Sequence, residues 1–284
     1  MKQRQDARKW LEEQIQELTS HGQTWSSGRP YGDLLVPREG LSIHEPIVIP
    51  MRCNIVGPHT AIFDRASFEV ADGYEEGDVP WAISWEDSAS QGNFAQQARN
   101  VSLDCRGRSD GIKFTGDQGS RYVSILVEHA MVSNVMFHGV THGSTATNIW
   151  VKGSHEDDPI RGEGIAMENC SSLTLIGASI HRCDIGLDKQ NCANCQDIGT
   201  DFEKVVTPYI WANAVNCDSS SHHMLHQDYG GILGSFRDCG LSTVKGTLRK
   251  GHSAEAWAVI DGTRTRVSSQ ADKNDPKPFI IPLP

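Results

Sequence analysis

The stretch DLLVPREGLSIHEPIVIPMRCNIVGPHTAIFD, Asp33 to Asp64, decides the fold. It reads as an apolar strand, a turn with proline and glycine, a second apolar strand, another turn and a third strand. Phrases with the same cadence follow, starting at Asn100, Asn134, Ser172 and Asn194. A unit this short cannot bury an apolar face alone. Stacking such units as coils of a parallel β-solenoid buries every face but the last.

The phrase starts set an expected register. Asn100 and Asn134 lie 34 residues apart, Asn134 and Ser172 38, and Ser172 and Asn194 22. With 22 as a bare coil, the longer two carry loops of about a dozen residues, and such insertions emerge on one face that often binds ligand. Strand alternation turns Val101 and Leu103, Val135 and Phe137, and Leu173 and Leu175 inward. A second strand is expected in each coil, at 111–114 (GIKF), 148–151 (NIWV), 184–188 (DIGLD) and 208–211 (PYIW). Asparagine and cysteine at the turns suit stacked ladders, because asparagine tolerates the left-handed backbone and can bond its counterpart one coil away.

The ends read differently. Ala7, Trp10, Leu11, Ile15 and Leu18 fall at helical spacing before Gly22, which predicts an amphipathic helix over 1–22. Its task is to cap the open solenoid end, whose strand edges are otherwise unpaired. The solenoid itself is assigned to 23–265. Residues 266–284 form a polar linker and an apolar tail, Phe279 to Pro284, that docks on the body or on another subunit.

Composition excludes several partners. The net charge of −10 and the absence of a Lys/Arg cluster argue against nucleic acid and anionic membranes. No window reaches the ~20 apolar residues of a membrane span, and the first eighteen residues contain no apolar secretory core. The chain is expected to be cytoplasmic as made, or virion-associated. Without a secretion signal, most of its eight cysteines are expected to be reduced and to sit in the core or in turn ladders. Cys192 and Cys195 form a CxxC with no second pair at zinc spacing. His222 and His226 lie ~13 Å apart on a strand, too far for one ion.

The phrase LLVPREGLSIHEPIVIPMRCNIVG, residues 34–57, resembles the opening of the pectate-lyase-like superfamily, the pectin-lyase fold. The resemblance extends over roughly residues 30–245 and implies an all-β, single-stranded, right-handed parallel β-helix. That superfamily includes polysaccharide lyases, glycoside hydrolases, epimerases and phage tailspikes, so it implies no single activity. The polygalacturonase-like set (NTD, DD, GHG, RIK) and the pectate-lyase-like WxDH and RxPxxR are missing from the sequence.

Candidate residues therefore come from register. Nine residues past Ser172 is His181, and nine past Asn194 is Glu203, a stacked base and orienter with Asp201 on the same strand face. Asp201 and Glu203, two strand rises apart, approach the roughly 6.5–9.5 Å of an inverting hydrolase pair. Trp150, Asp188 and Trp211 are expected along one wall, where indoles hold sugar rings and Asp188, Lys189 and Asp184 supply ionisable groups. Asp104 and His138 are expected to stack, each four residues past its phrase start. Glu156, Asp157 and Asp158 form an acidic loop tip that Ca²⁺ could use; no other cofactor and no metal site are expected.

The expected function is a glycan-binding β-helix that takes a polysaccharide or oligosaccharide along one side and cleaves it, by hydrolysis in preference to elimination. Asp201, Glu203, Asp188 and His181 are the expected catalytic residues. Trp150, Trp211, Lys189, Asp184, His138 and Asp104 are the expected substrate contacts. The rivals are a non-catalytic, phage-tailspike-like structural or receptor-binding protein and an intracellular enzyme acting on a small molecule. Monomer and homotrimer both fit.

Overall fold

A computed structural model of the chain describes residues 4–25, 27–58, 67–75, 80–86, 93–94, 97–225, 232–248, 256–268 and 277–284. Among these residues strands dominate, and they build a parallel β-solenoid with one helix at its N-terminal end. One run of each coil joins a fourteen-stranded sheet and the other a ten-stranded sheet. Coils pair in parallel register, as where Arg121–Glu128 lies between Gln97–Asp104 and Thr145–Lys152.

Each central strand of the fourteen-stranded sheet turns at one left-handed residue. These are Asn100 (φ 56°), Ser124 (55°), Asn148 (55°), Gly177 (63°) and Gly199 (74°). Asparagine and glycine carry this conformation with least strain. The bend divides the strand into two runs whose outward side chains form separate faces. With the ten-stranded sheet, each coil therefore presents three faces to solvent.

Inward alternation follows the expected pattern. Val101, Leu103, Val135, Phe137, Leu173 and Leu175 are all buried. In the N-terminal half the interior is aromatic: Phe114 stacks on Phe137 at 5.2 Å between centroids, with Tyr122 4.2 Å and Trp85 4.9 Å from Phe114. Toward the C-terminus the interior turns polar, with Lys189 and Asp197 wholly inside the coil.

Ladders form at the turns. Asn213 donates to the Asn191 side chain at 2.9 Å and Asn216 to Asn194 at 2.6 Å, each 22 residues on. All four asparagines hold positive φ. The eight cysteines are buried free thiols. Six of them donate to the carbonyl two residues back, as Cys192 does to Gln190 and Cys239 to Arg237. Burial pushes the Cys183 thiol up to about 12, so it is not a thiolate at neutral pH.

Both ends are covered. The helix Ala7–Ser20 starts at an Asp6 cap whose side chain accepts from Lys9 N–H, and it buries Ala7, Trp10, Leu11 and Leu18. Trp10 donates its indole N–H to the Leu35 carbonyl at 3.0 Å and meets Phe68 edge-on. At the other end two antiparallel strands close the sheets: Thr263–Ser268 on Ala256–Ile260, and Lys277–Leu283 on Ser242–Leu248. Phe279, Ile281 and Leu283 are buried against the chain's own body.

The phrase count holds from Ser172 onward and fails before it. Asn134 does not start a coil equivalent to that of Asn100. It lies fully buried near the start of a run in the ten-stranded sheet, where its side chain donates to the Glu163 carbonyl at 2.8 Å. The equivalents of Asn100 are Ser124 and Asn148, 24 residues apart, whose strands pair in register. Of the four expected second strands, 148–151 belongs to the fourteen-stranded sheet and the other three to the ten-stranded one.

Candidate functional site

The insertion expected from the coil count sits at one corner. Between the end of a fourteen-stranded-sheet run and the start of the next ten-stranded-sheet run, most connections are short: 129–132, 182–184 and 204–206. Between Thr145–Lys152 and Glu163–Glu168 the connection is 153–162. This loop is pinned at two points. His155 stacks on His129 at 3.5 Å between ring centroids, and Arg182 Nη2 donates to the Asp158 carbonyl at 2.8 Å.

On one side of the corner, the post-bend face of the fourteen-stranded sheet gathers His181, Asp201 and Glu203, whereas Asp188, the fourth expected catalytic residue, lies on the ten-stranded sheet. Trp150, Ser179 and Asp201 pair across three coils, and so do Lys152, His181 and Glu203. His181 Nδ1 lies 3.3 Å from Glu203 Oε2, and its Nε2 lies 2.8 Å from Ser179 Oγ. The Trp150 indole stacks on the His181 ring at 5.4 Å. Burial lowers the His181 pKa although Glu203 and Asp201 pull it upward, so the ring favours the neutral form at pH 7. Asp201 and Glu203 share the outward side of their strand, as alternation requires.

On the other side of the corner, the outer face of the ten-stranded sheet holds a carboxyl pair. Glu163 and Asp188 are hydrogen-bonded side chain to side chain. Desolvation, the Asp188 hydrogen bond and its charge push Glu163 up to about 7, and desolvation raises Asp188 as well. Two carboxyls that interact in this way disfavour each other's ionisation. Gln190 Nε2 donates to Asp188 Oδ1 at 2.5 Å, and His138 Nδ1 meets Glu168 Oε2 at 3.1 Å on the same sheet. Asp110, which is buried, accepts from the Val132 and Ser133 amides.

Several expected contacts are corrected. Trp211 is 1% exposed and packs edge-on against Tyr209 and Phe236, so it offers no surface to a sugar. Lys189 is fully buried, 3.1 Å from Asp197 and with its ammonium 4.1 Å over the Trp211 ring. Trp150 and Asp188 lie on different sheets rather than along one wall. Asp104 and His138 do not stack. Asp104 pairs with Glu128 in the fourteen-stranded sheet and meets His129 Nδ1 at 3.0 Å, whereas His138 belongs to the ten-stranded sheet. Burial pushes the Asp104 carboxyl up, but hydrogen bonds from His129 and the Arg106 amide outweigh it and hold the group below its usual range. Asp184 is exposed at the corner.

Sequence reasoning missed Glu163 and His129. Glu163 follows the insertion directly, and counting the ten-stranded sheet by itself would have placed it beside Ile185, three residues before Asp188. Among the described residues no group of three or more His, Cys, Asp or Glu side chains is placed to hold a metal ion. His226 lies outside the described residues. No described helix is long and apolar enough to cross a membrane.

No protein-family model matches the chain, and no curated protein does. Among solved structures, the chain is similar to ORF18 of Geobacillus virus E2, with a TM-score of 0.43 and 8% identity. The match covers 80% of this chain and 54% of that one, so the chain spans about half of its length.

Proposed function

We propose that the solenoid binds an extended saccharide across the corner that carries the 153–162 loop and cleaves a glycosidic bond there, with Glu163 as the proton donor. The observation behind this reading is the Glu163–Asp188 pair, raised to about 7 at Glu163 and so able to keep a proton where an ordinary carboxyl has lost it. Hydrogen-bonded carboxyls stand closer than the about 5–5.5 Å of a retaining pair, so they act as one acid rather than as acid and nucleophile. The complementary carboxylate is then Glu203, braced by His181, with Asp201 beside it. The part-exposed Trp150 indole is the platform for a sugar ring. Elimination is the variant in which neutral His181 removes a proton.

The test is an assay of purified protein on neutral, cationic and uronate polysaccharides, following new reducing ends and the ultraviolet absorbance of unsaturated products together. Reducing ends that fall 10²–10⁴-fold in Glu163→Gln, of the order general acid catalysis contributes, support the reading. Absorbance with little effect of Glu163→Gln moves the chemistry to His181. A second reading, a non-catalytic structural or receptor-binding solenoid, is favoured by the exposed β-branched row Val123, Ile176 and Ile198 along one face. Silence on every polymer together with a threefold particle in solution selects it.

A further inference from the structure

A groove of about 310 Å³ opens on the pre-bend face of the fourteen-stranded sheet, away from the loop-bearing corner. Gln196, Ile198, Asp218, Ser220, Thr243 and Lys245 line it. They come from three consecutive coils in register, Gln196 with Asp218 and Thr243, and Ile198 with Ser220 and Lys245. At strand spacings of ~4.8 Å between coils and ~6.6 Å between the two rows, the floor measures roughly 10 by 7 Å. That is the footprint of one or two pyranose rings. Asp218 and Lys245 are exposed and have no ion-pair partner among the described residues. Ile198, 46% exposed, supplies an apolar floor, and the exposed Ile176 extends it toward the next coil.

The alternate residues beneath this floor explain the most costly feature of the interior. Asp197 and Ser219 sit between the groove-lining positions of their strands and point inward. Lys189 Nζ meets Asp197 Oδ1 at 3.1 Å and the carbonyl of Asp218, itself a groove residue, at 3.4 Å. Ser219 Oγ donates to Asp197 Oδ2 at 2.5 Å and lies 3.1 Å from the Tyr209 hydroxyl, and Thr200 donates to Asp197 Oδ2 at 3.4 Å. A buried ion pair adds little net stability over an apolar replacement, yet here it ties three strands at the positions that aim the groove side chains. Sites held this way lose less freedom when a ligand arrives.

We infer that this groove is a saccharide-binding subsite separate from the corner, and that Lys189 and Asp197 are its positioning residues. A carboxylate, an ammonium, an amide and two hydroxyls over an aliphatic floor suit a neutral, hydroxyl-rich ligand with an apolar C–H face. The inference rests on the saccharide reading of the protein. Its test is an NMR titration with neutral hexasaccharides of glucose, mannose and xylose, alongside affinities for Asp218→Asn, Lys245→Met and Ile198→Ala. The expected result is amide shifts at Gln196, Ile198, Asp218, Ser220, Thr243 and Lys245 and at least five-fold weaker binding in the three groove variants. The paired variant Lys189→Met with Asp197→Leu is expected to stay folded and bind at least five-fold more weakly, which a purely structural role does not predict. Binding with shifts elsewhere and no effect of the groove variants overturns the subsite and leaves the saccharide reading standing. No binding to any glycan overturns both.

Discussion

Two stretches of the same interior are built from opposite chemistry. Around Phe114 the coil is filled by Trp85, Tyr122 and Phe137, which touch through ring faces and edges. Around Lys189 the equivalent space holds an ion pair, two hydroxyls, a phenol and the face of Trp211. The first stretch gains from every contact and asks only for volume. The second removes two charges from water and recovers that cost only while every partner is in place. Register in the aromatic stretch is enforced by shape, whereas in the polar stretch it is enforced by the penalty for leaving a charge alone.

That contrast sets the size of the expected effects. Asp197→Ala strands the Lys189 ammonium, and chemical denaturation is expected to show a loss of about 3–5 kcal/mol. Phe114→Leu keeps most of the volume in the aromatic stretch and should cost less than about 1.5 kcal/mol. Equal losses in these two variants would mean the polar stretch is no more demanding than the aromatic one. The sharper test is Lys189→Met with Asp197→Leu together, expected within roughly 1 kcal/mol of the parent because both charges leave at once.

A smaller effect separates the interior pair from the carboxyls on the surface. Glu163 is raised from 4.5 to about 7, so between those values the folded chain holds a proton that the unfolded chain releases. The contribution of this group to stability therefore falls as pH rises from about 4.5 to about 7, and its penalty is complete above that. Glu163→Gln should be more stable than the parent at pH 8 by on the order of 2–3 kcal/mol and should flatten this slope, as melting temperatures across pH will show. Smallest of all is the turn ladder. Asn213→Ala forfeits the bond to Asn191 and places alanine at φ 53°, at a cost of about 1–2 kcal/mol, while Asn213→Gly keeps the backbone relaxed and loses less.

The site was legible where the coils are bare and obscure where they are not. His181 and Glu203 were found by counting 22, and they meet at 3.3 Å because no insertion lies between Ser172 and Asn194. Asp104 and His138 were matched across a coil whose two runs had been taken for two coils, and they fall on different sheets. Lys189 and Trp211 read as surface groups because a lysine beside an aspartate is normally solvated. Inside the coil they are neighbours in register, and the partner that makes burial tolerable, Asp197, is eight residues on.

By itself, the sequence determined the solenoid, the capping helix and the asparagine ladders, since these depend on periodicity and on local backbone preferences that each residue carries with it. Only the tertiary structure decided which residues face inward past each bend, that the apolar tail closes its own sheet, and that the side chains of Glu163 and Asp188 interact. Those outcomes depend on which coil lies above which, and a single residue added at a turn changes every neighbour beyond it.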